Sequence, residues 1–140
     1  LGRHGDRPWK VGIQHPRQPG AIATLELRDG EAIGTSGDYQ RYFELAGKRY
    51  CHLIDPRTGW PALGTQAVTV LVRGEHAGTR SDVTSKPIFI AGTAGWRAMA
   101  ERMGIADVLF IDAQGRASAT RDLAGRLEWL DPAAPLAVVD

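Results

Sequence analysis

The chain has 140 residues, 43% of them apolar and 24% charged, which suits one globular domain of 1–140 and excludes a disordered or fibrous chain. Seventeen Lys and Arg stand against 16 Asp and Glu, so a net charge of +1 with no basic run excludes an electrostatic case for nucleic acid or an anionic membrane surface. The single cysteine, Cys51, excludes an internal disulfide and a Cys-rich metal cluster.

The opening residues are polar and form no apolar run of signal-peptide or membrane-spanning length. Leu1-Gly2 followed by His4-Gly5-Asp6 reads like the middle of a domain, so a truncated N-terminus is expected. Trp9–Gln14 alternates apolar and polar residues, the pattern of a half-buried strand, and His15-Pro16 closes it. Ala21–Leu27 alternates again before Asp29-Gly30, a strong hairpin signal, and the return strand is expected over Glu31–Gly34. Thr35-Ser36-Gly37-Asp38-Tyr39 then reads as a loop whose backbone can approach an anion or a ring system, or as an ordinary turn.

Gln40–Leu45 and Lys48–Leu53 make a second hairpin around Ala46-Gly47. It delivers Tyr50-Cys51-His52-Leu53-Ile54-Asp55-Pro56-Arg57-Thr58-Gly59, which puts an imidazole, a carboxylate, a guanidinium and a hydroxyl into ten residues. Locally this is an Asx-type turn with one histidine, although a thiol beside His52 also suggests a nucleophile. Gln66–Val72 is β-branched and nearly all apolar, predicting a central strand buried on both faces.

Ala77–Ala91 reads as a helix with Ser81 and Asp82 as cap residues and Gly92 as its stop. Pro87 conflicts with this, at a cost of ~3 kcal/mol unless the helix starts near it or kinks. Thr93–Met103 is a second helix ending at Gly104. Ala106–Ile111 is a strand, Asp112–Gly115 a turn and Ala117–Ala119 a short return strand, with a loop or edge-strand tail. The four tryptophans read as packing residues, and His4, His15 and His76 as exposed loop residues. The expected fold class is α+β, a largely antiparallel sheet with helices on one face.

Three segments in this order, Ala32-Ile33-Gly34-Thr35-Ser36-Gly37-Asp38-Tyr39, His52 to Gly59, and Ser81-Asp82-Val83-Thr84-Ser85 ahead of Gly92, resemble the ApbE family of flavin transferases. Trp9-Lys10-Val11-Gly12-Ile13 with Pro16 is similar to the family's preceding strand. Members are about twice as long, so the resemblance implies the C-terminal half of such a protein, with part of the flavin pocket supplied by the other half. It implies an enzyme that uses Mg²⁺, cleaves FAD, attaches FMN through its phosphate to a threonine or serine of an acceptor protein, and releases AMP. The same resemblance implies the periplasmic face of an inner membrane, reached through a lipid anchor outside this chain.

In that chemistry a cation neutralises phosphate oxygens, a base takes the proton of the attacking hydroxyl, and donors hold the leaving group. The resemblance implies Asp82 as the metal and catalytic carboxylate, His52 as the base, and Ser36, Gly37, Asp38, His52, Thr58 and Gly59 as flavin- or phosphate-binding residues. Two departures stand out. Members place a threonine four residues after the metal-site aspartate, whereas this chain has Lys86, followed by Pro87. Lys86 swings away, stands in for the metal's charge, or marks a protein that binds flavin without transferring it; Thr84 or Ser85 could supply a substitute oxygen. Cys51 sits where relatives carry small or polar residues, which argues against a nucleophile. A fragment without ligand is the third reading, and Asp82 as a helix cap is the bland alternative for that residue.

Overall fold

The computed structural model describes residues 5–140, so His4 lies outside the described residues. A five-stranded sheet in the order β12-β10-β9-β8-β3 forms the middle layer. Its strands are β3 (Glu31–Gly37), β8 (Thr65–Arg73), β9 (Asp107–Asp112), β10 (Ala117–Thr120) and β12 (Leu136–Val139). All neighbours are antiparallel except β10 and β12. β8 is the buried central strand its composition predicts: Thr65 to Val72 are all buried.

Strand alternation sends the two faces of this sheet into two cores. Val68, Val70, Val72, Val108 and Phe110 pack with Ile88, Phe89 and Trp96 of α1 (Ala77–Arg102). Ala67, Leu71, Leu109 and Ile111 pack with Ile13, Ile22 and Leu25. These last residues belong to a second sheet, β1-β2-β11, built from β1 (Trp9–Gln14), β2 (Ala21–Leu27) and β11 (Glu128–Trp129). The α+β reading with helix on one face therefore holds, and a small antiparallel sheet covers the other face. A four-residue helix, α2 (Arg121–Ala124), buries Leu123 beneath it.

Two further hairpins stand apart from both sheets: β4 (Tyr42–Leu45) with β5 (Lys48–Cys51), and β6 (Ile54–Asp55) with β7 (Trp60–Pro61). Ala46 and Gly47 take positive φ of 50° and 73°, the two-residue turn that suits strand twist.

Several sequence expectations need correction. Asp29-Gly30 turns the chain, but β2 and β3 do not pair; β2 joins the small sheet and β3 the edge of the large one. β3 pairs instead with β8 over seven residues, Glu31↔Arg73 to Gly37↔Ala67, and the buried Glu31 carboxylate at its start is held by Arg126 at 2.7 and 2.8 Å. Thr35-Ser36-Gly37 is strand, paired with Thr69, Val68 and Ala67, so those residues spend their backbone polar groups in a ladder rather than a loop.

α1 begins at His76, with φ 55° and no side-chain cap, which places Ser81 and Asp82 inside the helix. Asp82 is therefore no N-cap. The helix runs through Pro87 and breaks at Gly92 (φ 66°, ψ −172°), a conformation open essentially to glycine alone, so the predicted boundary at Gly92 is a kink between two helical halves. His15 is not exposed: its Nε2 lies 3.2 Å from Asp131 Oδ2 and its Nδ1 accepts from the Arg17 and Gln18 amides. Among the tryptophans, Trp96 is core, stacked on Phe110 at 5.3 Å, whereas Trp60 is 69% exposed.

Candidate functional site

The three sequence segments meet along α1. Ser36 on β3 and Ser85 on α1 share a hydrogen bond of 2.8 Å, both buried. One turn earlier, Gly34 lies so close to the helix that a Cβ there would stand 2.5 Å from the Ser81 carbonyl oxygen. The absence of a side chain at Gly34 thus sets the distance between the first and third segments. Thr84 and Ser85 donate to the carbonyls of Arg80 and Asp82, so their hydroxyls are engaged within the helix.

The middle segment is a self-contained turn. The Asp55 carboxylate accepts from the Arg57 amide at 2.9 Å and from its guanidinium at 2.7 to 3.2 Å, which holds the Asp55 carboxyl below its usual range. The Thr58 and Gly59 amides donate to the Asp55 carbonyl at 3.1 and 2.8 Å, and Gly59 takes φ 74°. Thr58 Oγ1 accepts from the Trp60 amide at 3.2 Å, so Thr58 and Gly59 shape the turn from within. Asp55, Pro56 and Arg57 face Pro87, Ile90 and Ala91 of α1 across a pocket of about 420 Å³.

His52 is exposed directly after β5, with Nδ1 3.3 Å from the Arg41 carbonyl oxygen. When Nδ1 carries the proton and donates there, Nε2 is left as a lone-pair base open to solvent. Cys51, one residue earlier, is inert by contrast: it is buried, and burial pushes its thiol pKa up. Gly37 leaves room for the Tyr39 ring, which would collide with any Cβ there. Asp38 is bound by both guanidinium nitrogens of Arg17 at 2.7 Å, a partner 21 residues away that no sequence signal identifies.

Asp82 is exposed on α1, and its Oδ1 lies 2.7 Å from Lys86 Nζ, which also donates to the Asp82 carbonyl at 2.8 Å. Among the described residues no group of three or more His, Cys, Asp or Glu side chains is placed to hold a metal ion. Asp82 thus offers a single carboxylate, with an ammonium on its Oδ1, which does not fit a divalent-cation site built by this chain alone.

The sequence model described as "ApbE family" matches residues 1–110. The chain is 42% identical over 142 residues to an FAD:protein FMN transferase of Rhodobacter capsulatus, covering 100% of the chain and 27% of that relative. It is 33% identical over 127 residues to the FAD:protein FMN transferase of Salmonella typhimurium, covering 90% of the chain and 33% of the relative. Among solved structures, the ApbE protein of Thermotoga maritima superposes with a TM-score of 0.76 at 33% identity, over 89% of this chain and 40% of that one. The apo flavinyl transferase ApbE of Pseudomonas stutzeri superposes with 0.64 at 34% identity, over 85% and 36%. The chain therefore spans about a quarter to a third of the length of these curated relatives.

Proposed function

The chain belongs to the ApbE family, and we propose that it forms the C-terminal part of an FAD:protein FMN transferase. In the proposed reaction an acceptor threonine or serine hydroxyl attacks the FMN phosphorus of FAD. A new phosphoester bond forms, the bond to the AMP phosphate breaks, AMP leaves, and the hydroxyl proton passes to a base. His52 Nε2 is the base in this reading, because its ring is exposed and its other nitrogen faces a carbonyl. Ser36, Gly37, Asp38, Thr58 and Gly59 act by holding the shape of the flavin-facing wall, Asp38 through Arg17 and the last two through the Asp55 turn.

The observation that carries the reading is the convergence of the three segments on α1: the Ser36–Ser85 hydrogen bond on one side and the Asp55–Arg57 turn facing Pro87 on the other. Mg²⁺ belongs to the proposal through Asp82 alone. The described residues do not complete a metal site, and Lys86 is the positive charge this chain itself presents there.

The acceptor and the periplasmic, inner-membrane location are likewise part of the proposal, by the family's usual lipoprotein form; among the described residues no helix is long and apolar enough to cross a membrane. The test is to incubate the full-length protein with FAD, Mg²⁺ and a threonine-containing acceptor peptide, then measure AMP release and covalent FMN. Both should appear and both should fall with His52→Ala.

The Asp82–Lys86 pair favours a second reading, a flavin-binding accessory protein without transfer. Flavin bound with neither AMP nor covalent FMN would select it.

A further inference from the structure

Six of the ten exposed large apolar side chains in the described residues, Tyr42, Phe43, Leu45, Ile54, Trp60 and Leu63, lie within one stretch of 22 residues, 42–63. This stretch holds the two hairpins that join neither sheet. By strand alternation and the register Phe43↔Tyr50 and Leu45↔Lys48, one face of the β4–β5 hairpin presents Phe43, Leu45 and Tyr50 together. Phe43 and Tyr50 stack at 5.1 Å, a rigid platform that is nonetheless 58% exposed at Phe43 and 63% at Leu45. Concentrated exposed aromatic and aliphatic surface of this kind marks contact with another molecule.

The hairpin has two further properties. Its strands pair only with each other, so each keeps an outer edge of backbone donors and acceptors to which an extended segment can add. By the same alternation Lys48, the partner of Leu45, lies on this apolar face, whereas Arg49 turns to the other face with Tyr42 and Cys51. Arg49 is satisfied by Glu44, but Lys48 reaches only the Tyr50 ring, and no carboxylate pairs with it among the described residues. The local charge balance therefore favours an occupant with a carboxylate. His52 follows the hairpin directly, so a segment laid along β5 passes beside the proposed base.

We propose that the face of the β4–β5 hairpin carrying Phe43, Leu45, Tyr50 and Lys48 is the docking site of the acceptor protein, which binds as an extended segment placing apolar side chains on Phe43 and Leu45 and a carboxylate against Lys48. This rests on the transferase reading, and the test separates the two. Two fluorescein-labelled 15-residue peptides with a central threonine are titrated into the full-length protein by anisotropy, one alternating leucine and glutamate around it, the other alternating serine and glutamine.

The Leu/Glu peptide should bind at least about tenfold more tightly, and both Phe43→Ser and Lys48→Glu should erase that preference, since loss of one interface anchor is typically worth a factor of about ten. FAD binding, followed by flavin fluorescence, should not change in either variant. Equal binding of the two peptides, or a preference that survives both substitutions, overturns the proposal. Sedimentation showing a dimer that Phe43→Ser dissolves also overturns it, because the surface is then covered by a second copy. Peptide preference without AMP release leaves docking standing and removes the transferase reading; AMP release and FMN transfer without peptide preference does the reverse.

Discussion

At Glu31 one side chain sets both local geometry and stability. Its carboxylate is 2% exposed, receives Arg126 and Arg73, and is lowered to a pKa of about 2 chiefly by the hydrogen bonds from Arg126. A depressed carboxylate contributes stability above its unfolded value of about 4.5 and loses it as pH falls toward about 2. Glu31→Gln should therefore cost about 2 to 3 kcal/mol in urea unfolding at pH 7, with the gap to wild type narrowing below about pH 4.5 and closing as pH falls to about 2. Asp107 behaves oppositely. It is buried, burial raises its pKa despite Arg73, and its Oδ1 has no partner. Because a raised carboxylate opposes folding once ionised, Asp107→Asn should stabilise the protein at pH 7 and make no difference below the ordinary carboxylate range. Lys86→Thr should free Asp82 and raise Mg²⁺ affinity in calorimetry of the full-length protein; unchanged affinity would mean that Asp82 is no metal ligand.

At the scale of elements, the contact between β3 and α1 fixes the site. Gly34→Ala would drive a methyl into the Ser81 carbonyl oxygen, and helix and strand would have to separate. The expected cost is about 1 to 3 kcal/mol, read as a lowered Tm, together with weaker FAD binding in the full-length protein. Much of this level was legible in the sequence. β8 announced itself by a run of β-branched residues, the Ala46-Gly47 hairpin by its turn, and the helix break by Gly92. What was not legible depended on distant partners. Asp29-Gly30 has the chemistry of a hairpin turn, but a hairpin also needs its two strands to prefer each other. Here β1 takes the first strand and β8, 34 residues beyond β3, takes the second. Likewise Asp38 looked available to a ligand because Arg17, which occupies it, is visible only in the fold.

For the molecule as a whole, Arg126 is where the two sheets are fastened. One guanidinium reaches Glu31 on the large sheet and the Glu26 carbonyl oxygen on the small one. Removing it as Arg126→Ala leaves the buried Glu31 charge short of its main partner, a loss of about 3 to 5 kcal/mol where such a pair is broken on one side. Hydrogen exchange should then accelerate first in β1 and β2 rather than in β8 and β9, whose other face remains held by α1. Equal acceleration in all four strands would show that the layers unfold together and that Arg126 is not their fastening.

The separateness of the β4–β5 hairpin gives the molecule modularity. Residues 42–50 share no ladder with either sheet, and only Cys51, the last residue of β5, enters the core. Such a cassette can change its surface without disturbing the layers that hold the α1 site. Under the proposed docking role, exchanging those nine positions between relatives would transplant partner choice while leaving the folded body untouched.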